Sequence, residues 1–170
     1  MRFAVLGSGS QGNGTLIASD DTCVLVDCGF SLRETEKRLL RLGVNPAQLS
    51  AILVTHEHAD HVHGVGLLSR RYNIPVYLSR GTLRGMRKPV EPAGFVAGGE
   101  QLQIGGLSIG VIAVAHDARE PTQYVFSDGT RRFGLLTDLG SYCATVLDGY
   151  KDLDALMIES NHCRDMLARG

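Results

Sequence analysis

The chain has 170 residues, with 17 Lys plus Arg against 18 Asp plus Glu and a formal charge of −1 at pH 7. That length suits one domain burying about 68–70% of its extended-chain surface; 44% hydrophobic and 21% charged residues exclude a disordered, collagen-like or coiled-coil chain. No global field draws the chain to nucleic acid or membrane, and no apolar run reaches the roughly eighteen residues of a membrane span. Four cysteines without a C-x-x-C pair, and no leader pattern, point to a reducing, cytoplasmic setting.

Short apolar runs at Phe3–Leu6, Leu16–Ala18 and Cys23–Val26, separated by a glycine-rich turn and by Asp20-Asp21, predict three consecutive strands. Ser31-Leu32-Arg33-Glu34 has a capping-box pattern, and leucines near helical spacing follow it until Gly43 supplies a stop. Ala51–Thr55 reads as a strand leading through a histidine-rich loop into a helix over Val62–Arg71, with Val65 and Leu68 on one face. Pro75–Leu78 resumes strand. From Arg80 to Gly106 turn signals dominate, with short strands at Phe95–Ala97 and Leu102–Ile104. Leu107–Val114 is a longer strand, and Gln123–Phe126 and Phe133–Thr137 flank Asp128-Gly129 as a hairpin. Ser141 caps a short helix to Leu147, and Leu153–Ile158 is a last, buried strand. Antiparallel strands followed by strand-helix-strand units predict an α/β sandwich with helices outside paired sheets.

Gly7-Ser8-Gly9-Ser10-Gln11-Gly12 matches the G-x-G-x-x-G of dinucleotide sites. That reading needs a helix after the turn. Asn13-Gly14-Thr15 instead runs into a strand, and Asp27 follows Gly12 too soon for a helix between them, so the segment reads as a tight connection at an active-site rim.

His56-Glu57-His58-Ala59-Asp60-His61 places three imidazoles and a carboxylate within six residues at a strand-to-helix bend. These donors suit zinc or a similar divalent ion, and the bend lets Asp60 and His61 address a position beside that of His56 and His58, so two adjacent metals become feasible. A closed structural metal knot would be cysteine-rich, unlike this cluster.

The H-x-H-x-D-H pattern with its strand and helix flanks resembles the metallo-beta-lactamase fold superfamily. The resemblance implies an αββα sandwich with His56, His58 and His116 holding one metal, Asp60 and His61 contributing to a second, Asp138 bridging both, and Asp27 supporting the metal loop. More narrowly, Gly7–Thr15, Val26-Asp27-Cys28-Gly29, His116-Asp117, Thr137-Asp138-Leu139-Gly140 and Glu159-Ser160-Asn161-His162 resemble a bacterial branch of phosphodiesterases and DNA exonucleases. There the position of His162 lies near the catalytic cleft, which implies a substrate-facing or general-acid role beside Asp60. A further histidine after the last strand and helix is usual in the superfamily, whereas this sequence stops at Gly170. The expectation is therefore a single C-terminally truncated hydrolase domain over 1–170, whose second metal site is incomplete or completed by His162 or water. An apolar face left open would favour a homo-oligomer.

His63 reads as a surface or supporting histidine. Asp117 orients a ligand or meets solvent, and Glu57 supports the site without entering it. Arg119, Arg131, Arg132 and Arg164 could hold phosphate, although their spacing does not establish one basic groove; the four cysteines read as small structural residues. The expected function is hydrolysis of phosphodiesters, DNA foremost, by water activated on two divalent ions, Zn2+ or Mn2+. The alternatives are hydrolysis of a thioester, lactone or beta-lactam, or a noncatalytic metal-binding role.

Overall fold

A computed structural model of the chain describes residues 1–158. β1 (Arg2–Gly7), β2 (Gly14–Ser19) and β3 (Thr22–Val26) form an antiparallel meander, from which β4 (Ala51–Leu53), β5 (Val76–Leu78) and β6 (Gly94–Phe95) continue in parallel, giving a six-stranded sheet in sequence order. The second sheet runs β11-β10-β9-β8-β7, from β7 (Gln101–Ile104), β8 (Leu107–Ala113), β9 (Thr122–Ser127), β10 (Arg132–Leu136) and β11 (Ala155–Ile158). Its pairs are antiparallel except β10 with β11.

The apolar pattern dictates the layers. β3 and β4 are buried on both faces, which is why they read as continuous apolar runs without alternation. Val24, Val26, Ala51 and Leu53 meet Leu107, Ile109, Tyr124, Phe126 and Leu135 in a core between the sheets. Cys23, Leu25, Ile52 and Val54 face the opposite way, into a second core with Leu39 of α1 (Leu32–Arg41) and with Val65 and Leu68. Ser31 caps α1 by accepting from Glu34 N. The Glu34 carboxylate binds Arg38 Nε at 2.8 Å, so the motif supplies a cap without the reciprocal half of a box. With helices outside both sheets, the arrangement is the expected αββα sandwich.

Four expectations need correction. The helix expected over Val62–Arg71 is two pieces, α2 (Ala59–Val62) and α3 (Val65–Tyr72). They break at Gly64, whose N–H binds Cys28 O at 2.7 Å and where a side chain would collide with the Phe30 carbonyl. A fourth helix, α4 (Arg80–Gly85), stands where turns were expected; Ser79 caps it, accepting from Thr82 N at 3.0 Å. Cys143, not Ser141, precedes α5 (Ala144–Gly149), because Ser141 is drawn into a bridge with Ala115. β11 is not buried: Leu156 and Ile158 are 47% and 57% exposed on a strand paired only with β10 among the described residues.

Candidate metal centre

One end of the sandwich gathers the strand termini that matter. Asp27 directly follows β3, His56 lies three residues past β4, Thr122 opens β9, and Asp138 lies two residues past β10. Asp27 and Asp138 both have left-handed backbone, with φ of 59° and 50°. Aspartate tolerates that conformation better than bulkier residues, and here it turns the chain sharply so that a carboxylate faces inward at the strand end.

The segment before His56 is held by both sheets. Val54 N donates to Tyr77 O and Val54 O accepts from Tyr124 Oη at 2.7 Å, while Thr55 N donates to Asp27 Oδ1 at 2.8 Å and Thr55 O accepts from Thr122 N at 2.9 Å. α2 is fixed from the other side, because its Asp60 and His61 carbonyls accept from Asn13 N and Cys28 N at 2.7 and 2.8 Å. Backbone hydrogen bonds, together with the Asp27 carboxylate and the Tyr124 hydroxyl, therefore fix the segments that carry the first histidines.

A hydrogen-bond relay then sets the imidazole tautomers. Thr55 Oγ1 donates to Asp27 Oδ2 at 2.8 Å, so the His56 Nδ1 that lies 3.0 Å from the same hydroxyl is its donor, and His56 Nε2 keeps a free lone pair 3.0 Å from His58 Nδ1. Asp27 Oδ2 also accepts from His61 Nδ1 at 2.8 Å, leaving His61 Nε2 to face Asp138 Oδ2 at 3.2 Å and Asp60 Oδ2 at 3.5 Å. Asn13 Nδ2 donates to Asp60 Oδ2 at 3.0 Å and holds that carboxylate beside the ring. The Asp27 carboxylate, 3% exposed, hydrogen-bonds the His61 ring directly and reaches the His56 ring through the Thr55 hydroxyl.

Electrostatics divide the rings. Burial, with His61 nearby, pushes His56 down to about 3, so it is neutral at pH 7. Burial also disfavours charge on His61, but the Asp27 and Asp138 carboxylates outweigh it and hold the imidazole up at about 10. Asp138 is lowered even though burial opposes its ionisation, because the histidines around it favour the carboxylate.

Two donor groups result, His56 with His58 and His116, and His56 with His61 and Asp138; within each the donor atoms lie within 4.8 Å of one another. Their chemistry fits divalent metal. His116 Nε2 is buried without a hydrogen-bond partner among the described residues, and Asp138 Oδ2 has only the approach of His61 Nε2 at 3.2 Å, an arrangement that a bound cation would satisfy. Asp60 belongs to neither group but borders the second through His61. His162 lies outside the described residues.

Of the secondary candidates, His63 is exposed and Asp117, 83% exposed, pairs with His116 Nδ1 at 3.1 Å. Glu57 turns away from the donors: its Oε1 accepts from Arg119 N at 2.9 Å, tying the first histidine loop to the loop carrying His116. Sequence reasoning missed Asn13 and Gln123 as site residues. The buried Gln123 amide binds both the N–H and the carbonyl of Thr137, just before Asp138.

An αββα sandwich with histidine and aspartate donors converging at one end of its paired sheets defines a class of metal-binding fold. The profile of the Metallo-beta-lactamase superfamily matches residues 7–161, and the chain belongs to that superfamily. It is 35% identical to Exodeoxyribonuclease YycJ of Bacillus anthracis and 33% identical to Exodeoxyribonuclease WalJ of Streptococcus pneumoniae, over 100% and 99% of this chain. It spans 66% and 65% of the length of those relatives. Among solved structures, the metallo-beta-lactamase fold protein YhfI of Bacillus subtilis superposes with a TM-score of 0.76 at 19% identity, over 96% of this chain and 73% of that one.

Proposed function

We propose that this chain carries the metal centre of a hydrolase that cleaves phosphodiester bonds in DNA, removing nucleotides from an end. The observation that carries this reading is the 35% identity, spread over the full chain, to a relative named as an exodeoxyribonuclease. Histidine and carboxylate donors suit Zn2+ or Mn2+. His56, His58 and His116 would hold one ion, His61 and Asp60 the other, and Asp138 both. When bound, such a pair supplies activated water at neutral pH and neutralises charge on the phosphoryl oxygens.

The chain's own residues do the rest. Asp27 and Thr55 fix the imidazole orientations, Gln123 fixes the turn that presents Asp138, and Asp60, 32% exposed, offers Oδ1 to take the proton from attacking water while Asn13 holds Oδ2. His162 is proposed to face the substrate and protonate the leaving oxygen. The domain reading over 1–170 and a cytoplasmic setting belong to the same proposal; no helix among the described residues is long and apolar enough to cross a membrane.

The test is cleavage of end-labelled DNA by metal-free protein titrated with Zn2+ or Mn2+. Expected is metal-dependent, progressive shortening from one end, reduced at least about 100-fold by His58→Ala and by Asp138→Asn. Turnover of a thioester, lactone or beta-lactam without DNA shortening at any metal concentration would overturn the phosphodiester reading, and stoichiometric metal without either activity would leave a noncatalytic metal-binding protein.

A further inference from the structure

The net charge of −1 conceals an uneven distribution. From Ser79 to Val90 the chain carries Arg80, Arg84, Arg87 and Lys88 and no acidic residue. All four are exposed, and none of them forms an ion pair among the described residues. Arg80 stacks on the Phe95 ring at 4.2 Å, which leaves its charge in place. By contrast, the cations flagged earlier at the far end of the second sheet are partly spent, since Arg131 pairs with Asp154 at 2.6 Å.

The position of this ribbon matters more than its count. α4 is docked onto the loop that carries His116: Gly81 N donates to Glu120 Oε2 at 2.6 Å, and Ser79 Oγ donates to Glu120 O at 2.7 Å. One turn later a side chain on Gly85 would lie 2.5 Å from Glu57 Cγ, so the helix also touches the residue between His56 and His58. Gly81, Arg84 and Gly85 recur at i, i+3 and i+4 along α4, and Arg87 and Lys88 follow just beyond its last residue. The two glycines let the helix approach the metal loops closely, so that Arg84, between them in sequence, and Arg87 and Lys88, just after them, are carried on a segment docked against those loops.

Arg119 extends the ribbon. Its side chain is exposed while its backbone N–H is held by Glu57, three residues beyond His116. The acids nearby form no ion pair with these cations among the described residues. Glu57 and Glu120 direct carboxylate oxygens at backbone N–H groups, and Asp117 pairs with His116.

We propose that α4, with Arg87, Lys88 and Arg119, is the track along which the DNA strand lies, its cations binding phosphates beyond the scissile one. This rests on the DNA reading above. Unpaired, exposed cations beside a site for phosphodiesters are complementary to a repeating polyanion; a small neutral ester or lactone would have no use for them. The contacts are to backbone phosphate, so they position the strand without reading sequence.

The test separates binding from cleavage. A fluorescein-labelled phosphorothioate oligonucleotide keeps the charge of DNA and resists hydrolysis, and its affinity for the metal-loaded protein is measured by anisotropy across salt concentrations. Expected is binding that the triple substitution Arg84→Ser, Arg87→Ser, Lys88→Ser weakens at least about 10-fold, the slope of log affinity against log salt falling by about 2, three contacts at about 0.7 each. The charge-keeping pair Arg84→Lys, Arg87→Lys retains most of the affinity, and removing three exposed cations elsewhere, with Arg2→Ser, Lys37→Ser and Arg41→Ser, changes it less than twofold. Equal losses in the two triple variants, no loss in the α4 variant, or no oligonucleotide binding by the unaltered protein at low salt would each overturn the track. Binding that depends on α4, without cleavage of ordinary DNA, would instead keep the track and reject the hydrolase.

Discussion

Asp27 accepts three hydrogen bonds at 2.8 Å, from Thr55 N, Thr55 Oγ1 and His61 Nδ1, and an amide in its place can satisfy at most part of that set. Asp27→Asn must turn its NH2 toward one of these donors, which frees the His61 ring and unsettles the His56 tautomer through Thr55. The expected outcome is a 10–100-fold loss of metal affinity with about 1–3 kcal/mol lower stability, checked by chelator competition and thermal melting; affinity within twofold of the original would refute the relay. The clustering of His56, His58 and His61 was legible because sequence neighbours on a strand-to-helix bend stay neighbours in space, and the resemblance pointed to His116 and Asp138, whose donor atoms lie with theirs in groups that could hold a metal. Gln123 and Asn13 were not. A lone amide carries no signal until strand register places it: β9 pairs with β10 through Leu135 opposite Tyr124, and only that register brings Gln123 within reach of Thr137.

At the scale of elements, apolar periodicity located the strands and α1 but not the joints between elements. α4 contains two glycines in six residues, a composition that disfavours an isolated helix. Its stability comes from the Ser79 cap and from packing that requires those glycines, and no local reading of propensity contains that information. The same limit hid the break between α2 and α3, since Gly64 is explained by Cys28 and Phe30 from another part of the chain. A related junction sits at Gly29, where the backbone of β3's outgoing loop meets α2: Gly29 N donates to Asn13 O, Asn13 N donates to Asp60 O, and a side chain on Gly29 would overlap the Asp60 carbonyl. Gly29→Ala should therefore push α2 outward, costing about 1–3 kcal/mol by overpacking and weakening the His61 group more than the His56, His58 and His116 group. Two-site metal titration with parallel melting checks this, and an unaltered second site would show that the junction does not position α2.

Across the whole molecule the two sheets are joined at both ends. Near the metal loops, Thr122 and Tyr124 bind the backbone of Thr55 and Val54. At the far end Asp128, in the β9–β10 turn, accepts from Ser19 Oγ at 3.3 Å and pairs with the Met1 ammonium at 2.8 Å, joining the first sheet to the second. The ammonium, and then the backbone N–H groups of Arg131 and Thr130, hold the Asp128 carboxyl well below the usual carboxylate range. The unfolded chain restores an ordinary value near 3.9. Above about pH 4 the carboxylate is charged in both states and its contribution is fully present; as pH falls through the interval down to the depressed native value, the unfolded state takes up the proton first and that stability is lost. Asp128→Asn should therefore be less stable than the unaltered protein at pH 7, with the difference shrinking below pH 4 and, because the contacts are near the surface, also in high salt. Urea unfolding at pH 7, 5, 4 and 3 reads this directly. Metal binding at pH 7 should stay unchanged, because the donors are held by the opposite end of the same strands; a variant that lost metal together with the clasp would mean that the two ends do not act independently.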